Sequence, residues 1–392
     1  MTENEQRVDV AIVGGGMVGA ALASGLAQHG FEVAVLEQEA PAAFDPASPP
    51  DLRISAIGAA SVALLRQLDV WPAVSAMRCV PYRRLETWEW QAAQVSFDAA
   101  SLGLPELGYM VENNVLQRAL WQRLQQQPVR MMCPARLQGL QSVNGGWQLT
   151  LDDGQRLNAR LVIGADGANS QVRQMAGIGI RGWNYAQSCM LIGVRCEQDA
   201  GDTTWQQFTP QGPRAFLPLF DNWASLVWYD SPARIRQLQA MPLPQLQKEI
   251  AAHFPARLGK VTAVAAGSFP LVRRHAIDYV KPGLALVGDA AHTINPLAGQ
   301  GVNLGYRDVD ALTNVLSASR LRAEDWASEA VLLRYQRQRQ KDNLLMQSGM
   351  DLFYFAFSNQ LAPLKIVRNL GLMAAQHSGG LKRQALRYAL GL

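Results

Sequence analysis

The feature that most limits what this chain can fold into lies at residues 8 to 19, where the apolar run VDVAIV ends in GGGMVG. An almost unbroken apolar run of this length has the character of a strand buried on both faces, as in a parallel sheet. Gly14, Gly16 and Gly19 follow at GxGxxG spacing, residues 17 to 29 read as a small-residue helix, and FEVAVLE at 31 to 37 reads as the next strand. The result is a βαβ unit whose glycines let the backbone approach a pyrophosphate and whose helix start meets its charge. Glu37 ends the second strand, where a carboxylate accepts from ribose hydroxyls. A ribose 2′-phosphate there would bring two negative charges together, so the expected dinucleotide is FAD or NAD, not NADP.

Residues 288 to 308, GDAAHTINPLAGQGVNLGYRD, select between these two. Asp289, directly after the apolar strand and Gly288, can accept from a polyol such as a ribityl chain. Gly299, Gln300 and Gly301 then lead into a helix starting near Val302. Backbone N–H groups at such a start stabilise negative charge on the pyrimidine end of a reduced flavin by roughly 0.3–1 kcal/mol, and up to about 2 when partly buried. A nicotinamide ring carries no comparable charge, so FAD is expected and a nicotinamide-dependent dehydrogenase is disfavoured.

Two further segments, ARLVIGADG at 159–167 and GLALVGDAAH at 283–292, repeat the order of apolar strand, glycine and aspartate, and are expected to share one parallel sheet with the first. Between them, ETWEWQAAQVSF at 86–97 and the Trp- and Phe-rich stretch 189–230 read as antiparallel strands with turns at Gly201, Pro210 and Asn222. From Glu324 the chain reads helical. The expected architecture is α/β: a Rossmann-like FAD-binding domain assembled from the discontinuous segments 1–80, 112–180 and 277–345. Inserted into it is a mainly antiparallel β substrate domain, 81–111 and 181–276, and a C-terminal helical region covers 346–392.

The net charge of +4 is too small to suggest a nucleic-acid partner. Its location is informative, because Lys365, Arg368, Lys382, Arg383 and Arg387 face only Asp351 in residues 343–392. Beside Met350, Leu352, Phe353, Phe355 and Phe357, this basic tail reads in two ways. It docks on a membrane surface or a multi-enzyme assembly, or it is a helical cap with a solvated outer face. Cys79, Cys133, Cys189 and Cys196 form no CxxC or Cys/His pattern, so no metal site is expected and a reducing compartment is. With no signal-peptide pattern and no run near the ~20 apolar residues of a membrane helix, the expected location is cytoplasmic with peripheral membrane contact at most.

The stretches GGGMVGAALASGLAQHGFEVAVLE, VIGADGANSQVR and LVGDAAHTINPLAGQGVNLGYRDV resemble the three fingerprints of the class A flavoprotein aromatic hydroxylases, the para-hydroxybenzoate hydroxylase fold. PYRRLETWEW, YMVENNVLQ and SGMDLFY extend the resemblance to the ubiquinone-biosynthesis hydroxylases. It implies that Gly14, Gly16, Gly19 and Glu37 hold the ADP half of FAD, and that Asp166 and Gly167 serve both FAD and pyridine-nucleotide handling. Gly288 and Asp289 would hold the ribityl chain, Pro296 would line the flavin ring, and Gly301, Val302 and Asn303 would meet its pyrimidine edge. Arg53 and Gln117 match flavin-contacting positions. NAD(P)H is the implied electron donor, without a second Rossmann domain, and dioxygen the co-substrate. A flavin 4a-hydroperoxide would hydroxylate a polyprenylated benzoquinol of the demethoxyubiquinol type, 2-polyprenyl-3-methyl-6-methoxy-1,4-benzoquinol, whose methoxy group sits beside a ring hydroxyl. The alternatives are another flavin enzyme on this fold, a prenyl reductase or a hydroxylase of a different ring position, and a non-catalytic prenyl-lipid-binding protein.

Three aromatic or basic features have plainer readings. His292 beside a helix-start loop is expected to hydrogen-bond backbone rather than act as a base, and His275 is expected on a solvated strand end. Trp88 and Trp90, two apart, would share one strand face, lining a ring pocket or simply packing a sheet.

Overall fold

The computed structural model describes residues 5–294, 301–357 and 362–392. The glycine-rich run lies where β1 (Glu5–Val13) turns into α1 (Met17–Gln28), and β2 (Val33–Leu36) completes the βαβ unit in parallel with β1. The chain then runs through β3 (Ile54–Gly58), α2 (Ala59–Gln67), α3 (Trp71–Met77) and β4 (Val80–Tyr82). β5 (Arg84–Trp88) and β6 (Val95–Asp98) form an antiparallel pair, and β7 (Gly108–Glu112) returns to pair with β3 and β4. α4 (Asn113–Leu124) leads to β8 (Val129–Met132), which joins β2 in parallel. β9 (Leu137–Val143), β10 (Gly146–Leu151) and β11 (Arg156–Gly164) form a meander whose last strand lies parallel to β1.

After α5 (Gln171–Met175), the long β12 (Ile180–Cys196) carries the chain into a second sheet with β13 (Thr203–Gln207), β14 (Arg214–Pro218) and β15 (Trp223–Asp230). α6 (Pro232–Gln239) and α7 (Leu243–His253) follow, and the equally long β16 (Val261–Ala276) brings the chain back. β17 (Val280–Lys281), β18 (Leu284–Leu286) and β19 (His292–Thr293) precede the helices α8 (Gly301–Leu321), α9 (Glu329–Phe357), α10 (Ala362–His377) and α11 (Gly380–Leu390).

Among the described residues the first sheet has the order β17-β18-β11-β1-β2-β8, with β10 and β9 attached through β11. β18 and β1 flank β11 and each runs parallel to it, so the three strand–glycine segments share one sheet as expected. The second sheet runs β19-β16-β12-β15-β14-β13-β5-β6. It is antiparallel except that β5 joins β13 in parallel, a pairing between distant segments that local alternation does not reveal.

One face of the second sheet is sealed by α6 and α7, where Ile235, Leu238, Leu246 and Ile250 pack on Trp88, Trp205 and Trp228. Trp88 is thus core, with its ring 5.7 Å from that of Trp205. Trp90 lies beyond the end of β5 and is 40% exposed, so the two tryptophans do not share a strand face. His275 also departs from expectation. It is buried on β16, its Nδ1 3.0 Å from Gln347 Oε1 on α9.

The tail helices cap the molecule with their inner faces. Arg368 pairs with Glu89 in a buried contact, and Asn369 Oδ1 accepts from Trp90 N at 3.1 Å. Leu386 and Leu390 of α11 pack beside the small sheet of β3, β4 and β7. Arg368 is therefore one basic residue of the tail that does not face solvent. The outer surface is not the polar one a solvated cap requires, since Leu345, Leu352, Phe355, Val367 and Leu370 are all more than half exposed. No helix among the described residues is long and apolar enough to cross a membrane.

Candidate active site

The three glycines of the first turn do different work. Gly14 has φ +104°, and a Cβ there would lie 2.4 Å from the Ala165 carbonyl oxygen. At Gly19 a Cβ would lie 1.9 Å from the Gly14 carbonyl oxygen, so α1 approaches β1 this closely only without a side chain. A Cβ on Gly16 would meet nothing within 4 Å, because this residue borders a cavity. α1 starts at Gly16 with no side chain capping it, which leaves its first-turn N–H groups for an anion. Glu37 stands beside this turn: Oε2 accepts from Gly15 N at 2.6 Å and Oε1 from Gln38 N at 2.7 Å. Gln117 lies behind it, its Nε2 donating to the Gly15 carbonyl at 3.2 Å next to Trp121 Nε1 at 2.7 Å.

At the end of β11, Gly167 (φ +78°) borders the same cavity. Asp166 turns the other way. Its carboxylate accepts from Ser170 Oγ at 2.5 Å, Gln171 N at 2.7 Å and Val172 N at 3.1 Å, so it holds the start of α5. Arg173, buried, then donates to the carbonyls of Ala168 at 3.0 Å and Ala290 at 2.8 Å. That bond ties the loop after β11 to the loop after β18. The arginine lies within the second fingerprint stretch, but nothing in its spacing discloses the long-range partner.

In the third segment, the Asp289 side chain opens onto the cavity while protein encloses it on the remaining sides. This enclosure raises its pKa above the usual carboxylate range, against the opposing pull of His292 and Arg53. Arg53, Gly288, Gly301 and Val302 border the same space. Asn303 sends its side chain elsewhere: Oδ1 accepts from Gly58 N at 3.0 Å and Ser61 Oγ at 2.7 Å, and Nδ2 donates to the Ala56 carbonyl at 2.7 Å. It anchors α8 to β3. Pro296, Gly299 and Gln300 lie outside the described residues.

Behind this turn lies a buried charge cluster that the sequence reading passed over. Asp308, wholly buried, accepts from Gly288 N at 3.0 Å, His292 Nε2 at 2.5 Å and Arg339 Nε at 2.8 Å. Burial by itself would raise the Asp308 pKa, but His292 and Arg339 outweigh it and hold the group at about 2. His292 therefore pairs with a carboxylate rather than with backbone. His275, nearby, is pushed down to about 4, first by burial and then by His292. Asp308 closes the GYRD string of the third fingerprint, which is the one local signal for it.

The cavity has a volume of about 650 Å³. On one side it meets the glycine turn, Gly167, Asp289 and the start of α8; on the other it meets the second sheet at Leu191, Gln206, Leu217, Ser225 and Val227. Open space at Gly16, uncapped N–H groups on α1, a carboxylate facing the void at Asp289 and the start of α8 at Gly301 and Val302 on the cavity lining together fit a flavin dinucleotide laid along one wall, with a second molecule against the other.

Comparison with known proteins agrees with this geometry. Residues 7–343 match the FAD binding domain family. The chain is 69% identical over 388 residues to 3-demethoxyubiquinol 3-hydroxylase of Escherichia coli, covering 99% of each chain. It is 39% identical over 385 residues to ubiquinone hydroxylase UbiL of Rhodospirillum rubrum, covering 98% of this chain and 89% of that one. The crystal structure of p-nitrophenol 4-monooxygenase PnpA from Pseudomonas putida superposes with a TM-score of 0.81 over 98% of both chains, at 19% identity, a likeness of fold alone. With the fingerprints, the cavity and these relatives in agreement, the chain belongs to the FAD binding domain family, as a FAD-dependent aromatic monooxygenase of the branch that holds the ubiquinone-biosynthesis hydroxylases.

Proposed function

We propose that this enzyme hydroxylates the ring of a polyprenylated benzoquinol of the demethoxyubiquinol type, with dioxygen as co-substrate and NAD(P)H as electron donor. The observation that carries the proposal is the wall opposite Asp289. Leu191, Leu217, Val227, Phe269 and Leu271 make it apolar, and among the described residues Arg53 is the only cation bordering the cavity. A carboxylated ring would call for a cationic clamp on that wall, whereas a prenylated quinol gains ~0.8 kcal/mol for each methylene-sized group buried. The 69% identity to a demethoxyubiquinol hydroxylase points the same way.

In this reading residues 1–80, 112–180 and 277–345 hold the cofactor, and 81–111 with 181–276 hold the substrate. The turn at Gly14, Gly16 and Gly19 and the start of α1 receive the pyrophosphate. Glu37 accepts from the ribose, Asp289 from the ribityl chain, and the backbone at Gly301, Val302 and Asn303 faces the pyrimidine edge. FAD bound there supplies reduction by NAD(P)H and activation of dioxygen. The apolar wall excludes water and presents the electron-rich ring.

The test is turnover of the reduced quinol with NAD(P)H and labelled dioxygen. One labelled oxygen in the product supports the proposal, and NAD(P)H consumption that yields only hydrogen peroxide overturns it. We place the enzyme in the cytoplasm with the outer face of α9 and α10 against an anionic membrane, where Lys365 adds charge beside Leu352 and Val367. Flotation with anionic vesicles that weakens as salt rises supports that placement; no flotation at low salt refutes it.

A further inference from the structure

Alternation along β13 sends Trp205 to one side and Gln206 to the other. Trp205 packs with Trp88 and stacks on Phe216, inside the core sealed by α6 and α7. Gln206 therefore lies on the cavity face, opposite Ala215 in register and on the same wall as Leu217 and Val227. It is 9% exposed, and no described residue makes a hydrogen bond to its side-chain amide. Two other polar groups at the cavity are engaged: Ser55 Oγ donates to Asn113 at 2.7 Å, and Thr293 Oγ1 donates to the Asp289 carbonyl at 3.2 Å. Ser225, on the same wall, offers a single short hydroxyl rather than a paired donor and acceptor.

A second feature adjoins Gln206. A small void of about 40 Å³ opens beside it, lined by Ala56, Tyr82, Leu85, Met110 and Leu217. An amide held in an apolar wall, with room for a methyl group next to it, is complementary to a ring edge bearing a hydroxyl beside a methoxy group. Oε1 accepts from the hydroxyl, Nε2 donates to the ether oxygen, and the methoxy methyl enters the void.

We infer that Gln206 is the residue that recognises the hydroxyl–methoxy edge of the quinol and so sets which ring carbon faces the cofactor. This inference rests on the substrate reading above. An apolar wall alone holds a flat ring but leaves its rotation in the plane undetermined; two directed hydrogen bonds remove that freedom. Once the amide is lost, ring and cofactor still meet, but in mixed orientations, and reducing equivalents drain to hydrogen peroxide.

The experiment compares the wild type with Gln206→Leu and Gln206→Asn on two reduced quinols, one carrying the methoxy group and one with hydrogen in its place. Product formed per NAD(P)H consumed, KM, FAD affinity and thermal stability are measured for each. The leucine variant is expected to keep FAD affinity and stability, to raise KM for the methoxy quinol roughly 10-fold, and to lose coupling. On the quinol without methoxy, wild type and variant should differ far less, a contrast that a merely structural role for Gln206 would not produce. The asparagine variant, whose amide is the same but sits one methylene further from the ring, should fall between. Unchanged KM and coupling on the methoxy quinol, or an equal loss on both quinols, overturns the inference. A wild type that hydroxylates neither quinol overturns the substrate reading, and this inference with it.

Discussion

Alanine at Gly16 and alanine at Gly19 are the same chemical change three residues apart, and the structure gives them opposite consequences. At Gly19 the new Cβ would lie 1.9 Å from the Gly14 carbonyl oxygen, a backbone atom in the tightest part of the turn. That is about 1.5 Å or more inside van der Waals contact, and no side chain can move aside to relieve it. The cost belongs at the upper end of the overpacking range, about 3 kcal/mol. At ~2 °C per kcal/mol for a large domain, this lowers the Tm of the apoprotein by about 6 °C. At Gly16 the new Cβ meets nothing within 4 Å, and φ of −68° suits alanine, so the apoprotein should melt as the wild type does. The methyl would instead occupy the space a pyrophosphate approaches. Losing one backbone hydrogen bond to a charged group costs about 1.5–3 kcal/mol, or roughly 10- to 150-fold in FAD affinity. Scanning calorimetry on the apoproteins and fluorescence titration with FAD separate the two effects. If Gly16→Ala binds FAD like the wild type, or if Gly19→Ala melts like it, the assignment of roles within the turn is wrong.

The loop after β18 gives a different pairing of effects. The Asp289 side chain opens onto the cavity and is accessible to solvent there, so Asp289→Asn should leave the Tm of the apoprotein nearly unchanged while weakening FAD binding by roughly 10- to 150-fold, and equal or tighter binding would refute the ribityl role. Asp308→Asn leaves His292 and Arg339 without their shared carboxylate and should destabilise by about 3–5 kcal/mol in denaturant unfolding. His275 has a pKa pushed down to about 4 in the fold against an ordinary 6.5, so the unfolded chain binds the extra proton first between those values. Stability should fall as pH drops from 6.5 toward 4, by about 3 kcal/mol through this residue, and His275→Gln should flatten that slope.

Local pattern settled a large part of this protein. VDVAIV, the spacing of Gly14, Gly16 and Gly19, and Glu37 determine a βαβ unit because strand burial, turn geometry and helix start are all decided within some thirty residues. The recurrence of strand, glycine and aspartate at Gly164–Asp166 and Gly288–Asp289 likewise marks the strands that gather into one sheet, and the intervening aromatic alternation marks the other. Side-chain direction was decided elsewhere. Asp166, Asn303 and Asp289 all sit in fingerprint strings, yet the first two bond to the chain itself and only the third opens its side chain onto the cavity. Trp88 becomes core because β5 joins β13, and Gln206 faces the cavity because α6 and α7 seal the opposite side of the same sheet. His275 is buried because α9 returns to cover β16, more than fifty residues later in sequence. A period of two or of 3.6 residues states that an element has two faces. Which face meets solvent, core or ligand is fixed by the elements that pack against it, and those come from distant parts of the chain.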